Sequence, residues 1–224
     1  MCGRFALVSD LKTIQEKFHI QDVQASYHQN WNISPDQEVP AMILHNGRRK
    51  LVGFQWGWLP AFHKAAPAKK LINARAETVD KKPSFQNAFR KRRCLILADG
   101  FYEWKKDGKR NIPFFFHLKS GEPFGFAGLY EKRLSAEGHC TGTCVIITTQ
   151  ANDLVASIHN RMPVILSNPQ DQASWITPNA VDFNVLLSLL KPSPAEEMVC
   201  KRADPSWLLP PGPDQGAIRF EPND

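Results

Sequence analysis

Two spacings of hydrophobic and polar residues alternate along this chain, and the switches between them mark its elements. Leu11, Ile14 and Phe18 recur at helical spacing behind Ser9, which predicts a helix over roughly 10–18 with Ser9 as its N-cap and one face packed inward. The stretches Val39 to His45 and Lys50 to Trp58 flank Asn46-Gly47, a strong hairpin signal. In the second stretch Phe54, Trp56 and Trp58 alternate with Gly53, Gln55 and Gly57. One face of that strand is aromatic, with Phe54 and Trp56 read as core-facing; the glycines on the other leave room for a second backbone to approach.

Further along, Leu71 to Thr78 reads in two ways. If extended, it carries Asn73, Arg75 and Glu77 on one face and Ala74 and Ala76 on the other, a row of polar groups suited to the wall of a site. By propensity Ala-Arg-Ala-Glu favours a helical turn instead. Pro83 suits the start of a short helix through Arg90, which ends in the basic run Arg90 to Arg93, a pattern usual for a solvated face. Cys94 to Ala98 is an apolar strand continuing past Asp99-Gly100 into Phe101 to Trp104. The turns Asp107-Gly108 and Ser120-Gly121 then fold Ile112 to Leu118 and Phe124 to Tyr130 into a meander. Another strand spans Cys144 to Thr149, and Asn152 caps a short helix over roughly 153–158. Val164 to Leu166 is extended, helices follow Asn168-Pro169 and run from Val181 to Leu190, and Met198 to Lys201 is a last strand. Residues 1–205 read as one domain, and 206–224 as an irregular proline-rich tail, with fraying expected from Asp204 onward.

At 224 residues the chain is long enough for a full core, and no apolar run approaches a membrane span or a signal peptide. No membrane association and a cytoplasmic location are the expectation. Five cysteines, odd in number and irregularly spaced, suit reduced thiols. Cys140 and Cys144, preceded by His139, lack a second ligand pair, so no metal site is expected. A formal charge of +6 permits a polyanionic partner.

The start, Met1-Cys2-Gly3-Arg4, changes this picture most. Removal of Met1 leaves one residue with both an α-amine and a thiol, whose reference pKa values of about 7.7–8.0 and about 8.5 make each partly nucleophilic near neutral pH. The amine can attack an aldehyde to give a Schiff base that the thiol closes into a thiazolidine. Alternatively the thiol can attack an amide with the amine as base. Glu103, set among aromatics, is costly to bury unless partnered or tuned for proton transfer. His159 and Arg161, two apart before an apolar strand, make an acid and anion-clamp pair.

Six motifs in register carry a resemblance: Met-Cys-Gly-Arg-Phe at the start, Asn32-Ile33-Ser34-Pro35, Trp56-Gly57-Trp58-Leu59-Pro60, Ile72 to Thr78, Ala98 to Trp104, and His159-Asn160-Arg161-Met162-Pro163. Over residues 1 to about 205 the chain resembles the SRAP (SOS-response-associated peptidase) family of abasic-site processing proteins. The resemblance implies a single α+β domain: a curved, mainly antiparallel, barrel-like sheet flanked by short helices, with a basic groove for single-stranded DNA. It also implies a thiazolidine crosslink between Cys2 and the ring-opened abasic sugar that protects the site in the DNA damage response. A lyase side activity follows if the Schiff base eliminates first. Asn73 is implied to orient the sugar, Glu103 and His159 to move protons, and Arg4, Arg75 and Arg161 to contact phosphates. Asn32, Pro35, Trp58 and Phe62 complete the expected DNA contacts.

No cofactor is called for, and a monomer in the cytoplasm, nucleoid-associated when on DNA, is expected. Two departures bear on the groove: family members carry tryptophans in the loop where this chain has Phe62-His63, and often an arginine where it has Gln86. Two rival readings remain at this stage: a Cys2 amidase or self-processing peptidase that removes Met1, and a noncatalytic DNA-binding module.

Overall fold

The computed structural model describes residues 2–59, 70–134, 140–178 and 182–208. The first half contains β1 (Phe5–Leu7), α1 (Leu11–Phe18), β2 (Asp22–Val23), β3 (Asn30–Ile33), β4 (Glu38–His45), β5 (Arg48–Trp56), β6 (Asn73–Arg75), α2 (Pro83–Lys91) and β7 (Arg93–Ala98). The second half adds β8 (Gly100–Asp107), β9 (Arg110–Leu118), β10 (Phe124–Leu134), β11 (Cys140–Gln150), α3 (Asp153–Ala156), β12 (Arg161–Pro163), β13 (Ile165–Leu166), α4 (Pro169–Ile176), α5 (Phe183–Ser188) and β14 (Met198–Arg202). Short 3-10 turns occupy Ala195–Glu197 and Pro205–Leu208.

One sheet has the order β14-β9-β8-β1-β3 and is antiparallel at every step. The other runs β12-β11-β10-β7-β4-β5-β2, with β13 on β10 and β6 on β11. Because β11 also pairs in parallel with β5, through Thr143 with Gln55 and Cys144 with Trp56, the strands β5-β4-β7-β10-β11 close into a ring. Closure removes the exposed edges an open sheet would have to protect. The expected α+β architecture is therefore the one observed. Phe5 of β1 links the two sheets, its ring 5.2 Å from Trp56 and 5.5 Å from Phe126 of the ring strands.

Local chemistry explains the turns and caps. Asn46 and Gly47 take φ of 51° and 71°, the pair of left-handed residues a tight hairpin needs. The helix near the start is capped by Asp10, whose carboxylate accepts from the Thr13 N–H at 2.8 Å. The expected cap, Ser9, instead donates its hydroxyl to Asp99 at 2.6 Å. Of the two glycines expected to admit a backbone, Gly57 does so, its N–H donating to the Cys144 carbonyl at 3.0 Å. Gly53 is covered by the Glu38 side chain. Asn73 to Arg75 is extended, as the first of the two readings has it, and the chain turns immediately afterwards. Val181 lies outside the described residues; within them the following helix is Phe183–Ser188.

Two further expectations are overturned. The basic run is not uniformly solvated, because Arg93 is buried and reaches four carbonyls: Trp175 at 2.6 Å, Phe89 and Arg90 at 2.7 Å, and Thr177 at 2.6 Å. It satisfies the open carbonyl ends of α2 and α4 together. Burial pushes its pKa down to about 10, which still leaves it charged at neutral pH. Nor does fraying begin at Asp204. Trp207 packs against Trp31 at 5.1 Å and Phe115 at 5.9 Å, over the face of the five-stranded sheet that carries Ala6 and Tyr102. Replacing Arg93 with Met should destabilise the fold by about 3 kcal/mol, since several buried acceptors lose a charged donor at once. Denaturant unfolding checks this, and a loss below about 1 kcal/mol would contradict the capping role.

Candidate active site

β1 and β8 bring the first functional pair together. Phe5 faces Phe101 and Ala6 faces Gly100, and the Tyr102 N–H continues the ladder by donating to the Arg4 carbonyl at 3.0 Å. Continued back, this register sets Gly3 beside Glu103. Cys2 is wholly buried there, and Glu103 is 3% exposed. Burial raises the Glu103 carboxyl above the ordinary glutamate range, an effect opposed in part by nearby His159. Burial, and then the charge of Glu103, push the Cys2 thiol well above its usual value. The thiol is therefore not the partly ionised nucleophile that an exposed cysteine would be; in this setting it keeps its proton.

From the other side, β6 lies against β11 with Asn73 opposite Ile146. Its side-chain Nδ2 donates to the Cys2 carbonyl at 2.9 Å. The companion Oδ1 is buried and has no partner among the described residues. His159 follows α3, which Asn152 caps through the Val155 N–H at 2.9 Å. His159 Nδ1 lies 3.0 Å from the Arg161 N–H and 3.2 Å from the Arg161 carbonyl, contacts that fix the orientation of the ring. Cys2, Asn73, Glu103 and His159, some 157 positions apart at the extremes, thus form one cluster.

The expected DNA contacts divide. Arg75 is exposed on β6, two residues from Asn73 and on its face. Arg4 donates to Asn32 Oδ1 at 2.7 Å, and Asn32 Nδ2 donates to the Leu208 carbonyl at 2.6 Å, so both lie at the margin of the site in a fixed pair. Pro35 is partly exposed in the turn after β3. Trp58 is a correction: at 1% exposure it offers no face to a base and packs against Phe85 instead. Phe62 lies outside the described residues.

Arg161 is mostly buried and already holds Glu77 through two bonds, of 2.5 and 3.0 Å, while donating to the Thr148 carbonyl. That hydrogen bond holds the Glu77 carboxyl below its usual range. A phosphate can reach the guanidinium only by displacing a carboxylate. The 84-residue separation of this pair explains why sequence reading missed it.

Among the described residues no group of three or more His, Cys, Asp or Glu is placed to hold a metal. A cavity of about 420 Å³ lined by His45, Lys50, Phe54 and Lys132 contains none of the site residues.

A family model described as SOS response associated peptidase (SRAP) matches residues 1–206. The chain belongs to the SRAP family. Among SRAP relatives, the abasic site processing protein YoqW of Bacillus subtilis is 43% identical over 202 residues, covering 88% of this chain and 90% of its own. The abasic site processing protein YedK of Escherichia coli is 29% identical, covering 79% of each. A crystal structure of a protein from Bacteroides thetaiotaomicron superposes with a TM-score of 0.78 at 24% identity, over 92% of this chain and 98% of the other, and shares the SRAP fold.

The raised carboxyl of Glu103 has a thermodynamic signature. The folded protein keeps that proton at pH values where the unfolded chain has released it. Its contribution to stability is complete below the unfolded glutamate range and is lost as pH rises through the folded value. Glu103→Gln should therefore gain stability relative to the parent as pH rises from about 4, the ordinary glutamate value, through the neutral range. Denaturation midpoints of both proteins across that range test this, and parallel curves would contradict it.

Proposed function

We propose that this chain, once Met1 is removed, captures abasic sites in single-stranded DNA as a covalent adduct of Cys2. The observation that carries the reading is the burial of Cys2 between Asn73 and Glu103, in a chain whose relatives are named for abasic site processing. Glu103, whose carboxyl holds its proton more tightly than usual, donates it to the ring oxygen as the sugar opens and takes back the proton of the C1′ hydroxyl, freeing the aldehyde. The Cys2 amine adds to that carbonyl and water departs, giving a Schiff base. The thiol then adds to the imine carbon and passes its proton, through the carboxylate, to nitrogen. Aldehyde plus aminothiol yields thiazolidine plus water, with no oxidant or cofactor.

Each remaining group has a task. Asn73 holds the Cys2 carbonyl and offers its open Oδ1 to a sugar hydroxyl, an orienting contact that costs no rearrangement during the reaction. His159 serves proton transfer in reversal and in the competing elimination that nicks the strand. Arg75 takes a phosphate directly, Arg4 and Asn32 border the strand, and Arg161 joins after exchanging Glu77. Contacts of this kind hold a strand without reading its bases, as damage in arbitrary sequence requires. The acting form is a cytoplasmic monomer, on the nucleoid while bound.

A second reading is favoured by the family's description as a peptidase: the Cys2 thiol attacks the Met1 carbonyl, which frees the Cys2 amine and leaves a methionyl thioester that water hydrolyses to release methionine. Intact mass of Glu103→Gln and His159→Ala distinguishes the two routes. Retained Met1 means self-processing, and normal removal means a separate aminopeptidase.

The main reading is tested on a single-stranded oligonucleotide with one abasic site, run on a denaturing gel. The parent should give a shifted band that Cys2→Ala abolishes, that Glu103→Gln slows by about 10²-fold, and that Asn73→Ala slows by about tenfold or more. An undiminished band from Cys2→Ala would overturn it.

A further inference from the structure

The β8–β9 hairpin extends well past the strand beside it. β1 is paired with β8 only as far as Arg4, through the Tyr102 N–H, so that continuing the register puts Cys2 opposite Trp104. On the other side, β14 pairs with β9 as far as Phe114, and the last contact beyond it is the Ala203 N–H donating to the Pro113 carbonyl at 3.0 Å. The segment Lys105 to Ile112 therefore stands free of both neighbouring strands, as a two-stranded arm closed by Gly108 at φ 58°.

Its tip is strongly cationic. Lys105, Lys106, Lys109 and Arg110 are all exposed, with Asp107 the one acidic residue among them. None of the four cations makes an ion pair among the described residues, in contrast to Lys17, Lys50, Lys70, Arg92 and Arg161, which each hold a carboxylate. With one carboxylate against four cations, the arm carries a surplus of positive charge that repels itself and is relieved when an anion is near. The arm points away from the sheet at the end where Cys2 lies, and Lys105 follows Glu103 by two residues, about 7 Å along the strand. A strand of nucleic acid with its lesion at Cys2 thus has its next phosphates beside these side chains.

We propose that this arm binds the backbone of the strand on one flank of the lesion, supplying affinity by charge while taking no part in the chemistry. It rests on the reading of the site given above. The side chains are long and solvated, so the contact is salt-sensitive and indifferent to base sequence. Release of counterions, not hydrogen-bond geometry, supplies its favourable free energy. The arm also assigns a polarity, because it lies on one side of the reactive residue alone.

The test uses the full chain and the variant Lys105→Gln, Lys106→Gln, Lys109→Gln, Arg110→Gln, with Lys119→Gln, Lys191→Gln as a charge control on another surface. Binding is measured on single-stranded DNA bearing a stable tetrahydrofuran abasic analogue, from low to moderate salt, with flanks trimmed separately on each side. The hairpin variant should bind about tenfold or more weakly near 0.1 M salt. Its log K against log salt slope should fall by about 0.7 for each phosphate the arm no longer neutralises. Trimming one flank should weaken the parent and leave the variant unchanged. Crosslinking to a natural abasic site at saturating protein should keep the parent's rate within about twofold.

Parent-like affinity and slope in the hairpin variant, or an equal loss in the control pair, would overturn the proposal. If the parent itself fails to crosslink, the reading of the site has failed instead. The analogue-binding comparison still decides whether the arm holds DNA.

Discussion

A single hydrogen bond, from the side-chain amide of Asn73 to the carbonyl of Cys2, ties the beginning of the chain to the closed ring of strands. Chain ends ordinarily fray, because fixing a backbone residue costs about 1–2 kcal/mol of entropy with few contacts to offset it. Here the cost is met by β1, whose Phe5 and Leu7 are fully buried and whose backbone is laddered on both edges, to β3 and to β8. Cys2 is thereby held in place, and Glu103 and His159 are arranged around it. The two sheets serve this placement: one carries Cys2 and Glu103, and the other presents Asn73 and, through β12, the loop of His159.

Burial is what gives these ordinary side chains their chemistry. In water the Cys2 thiol would be partly ionised and Glu103 fully so; in the site both hold their protons more tightly. That ordering suits a reaction in which the amine attacks first and the thiol closes the ring afterwards. The same desolvation would be a pure loss at a site without work for the proton. Arg93 shows the structural counterpart, since its buried charge is offset by four carbonyls and carries no reaction.

Much of this was legible in the sequence wherever the signal was local. Asn46-Gly47 announced its hairpin, Asn152 and Asn168 their helices, and the apolar run Cys94 to Ala98 its buried strand. The cluster of Cys2, Asn73, Glu103 and His159 was visible only through motifs in register. No periodicity links residues so distant. What stayed hidden was pairing across long separations. Arg93 looked like one more cation in a run until its partners, 82 and 84 residues away, were in view. Trp58 sat in an aromatic stripe that stays core-facing past the end of its strand. Asn32 and Leu208, 176 residues apart, could not be joined by any local rule, and neither could the turn that places Trp207 over Trp31.

The central claim is that one residue presents nitrogen and sulfur together to the sugar carbon. Protein crosslinked to DNA whose abasic C1′ carries carbon-13, digested to the N-terminal peptide and read by NMR and mass spectrometry, tests it most directly. The account predicts a peptide beginning at Cys2, lacking Met1, in which the labelled carbon is tetrahedral and bonded to both the amine and the sulfur. A labelled carbon attached to a lysine, or a crosslinked peptide still carrying Met1, would contradict it.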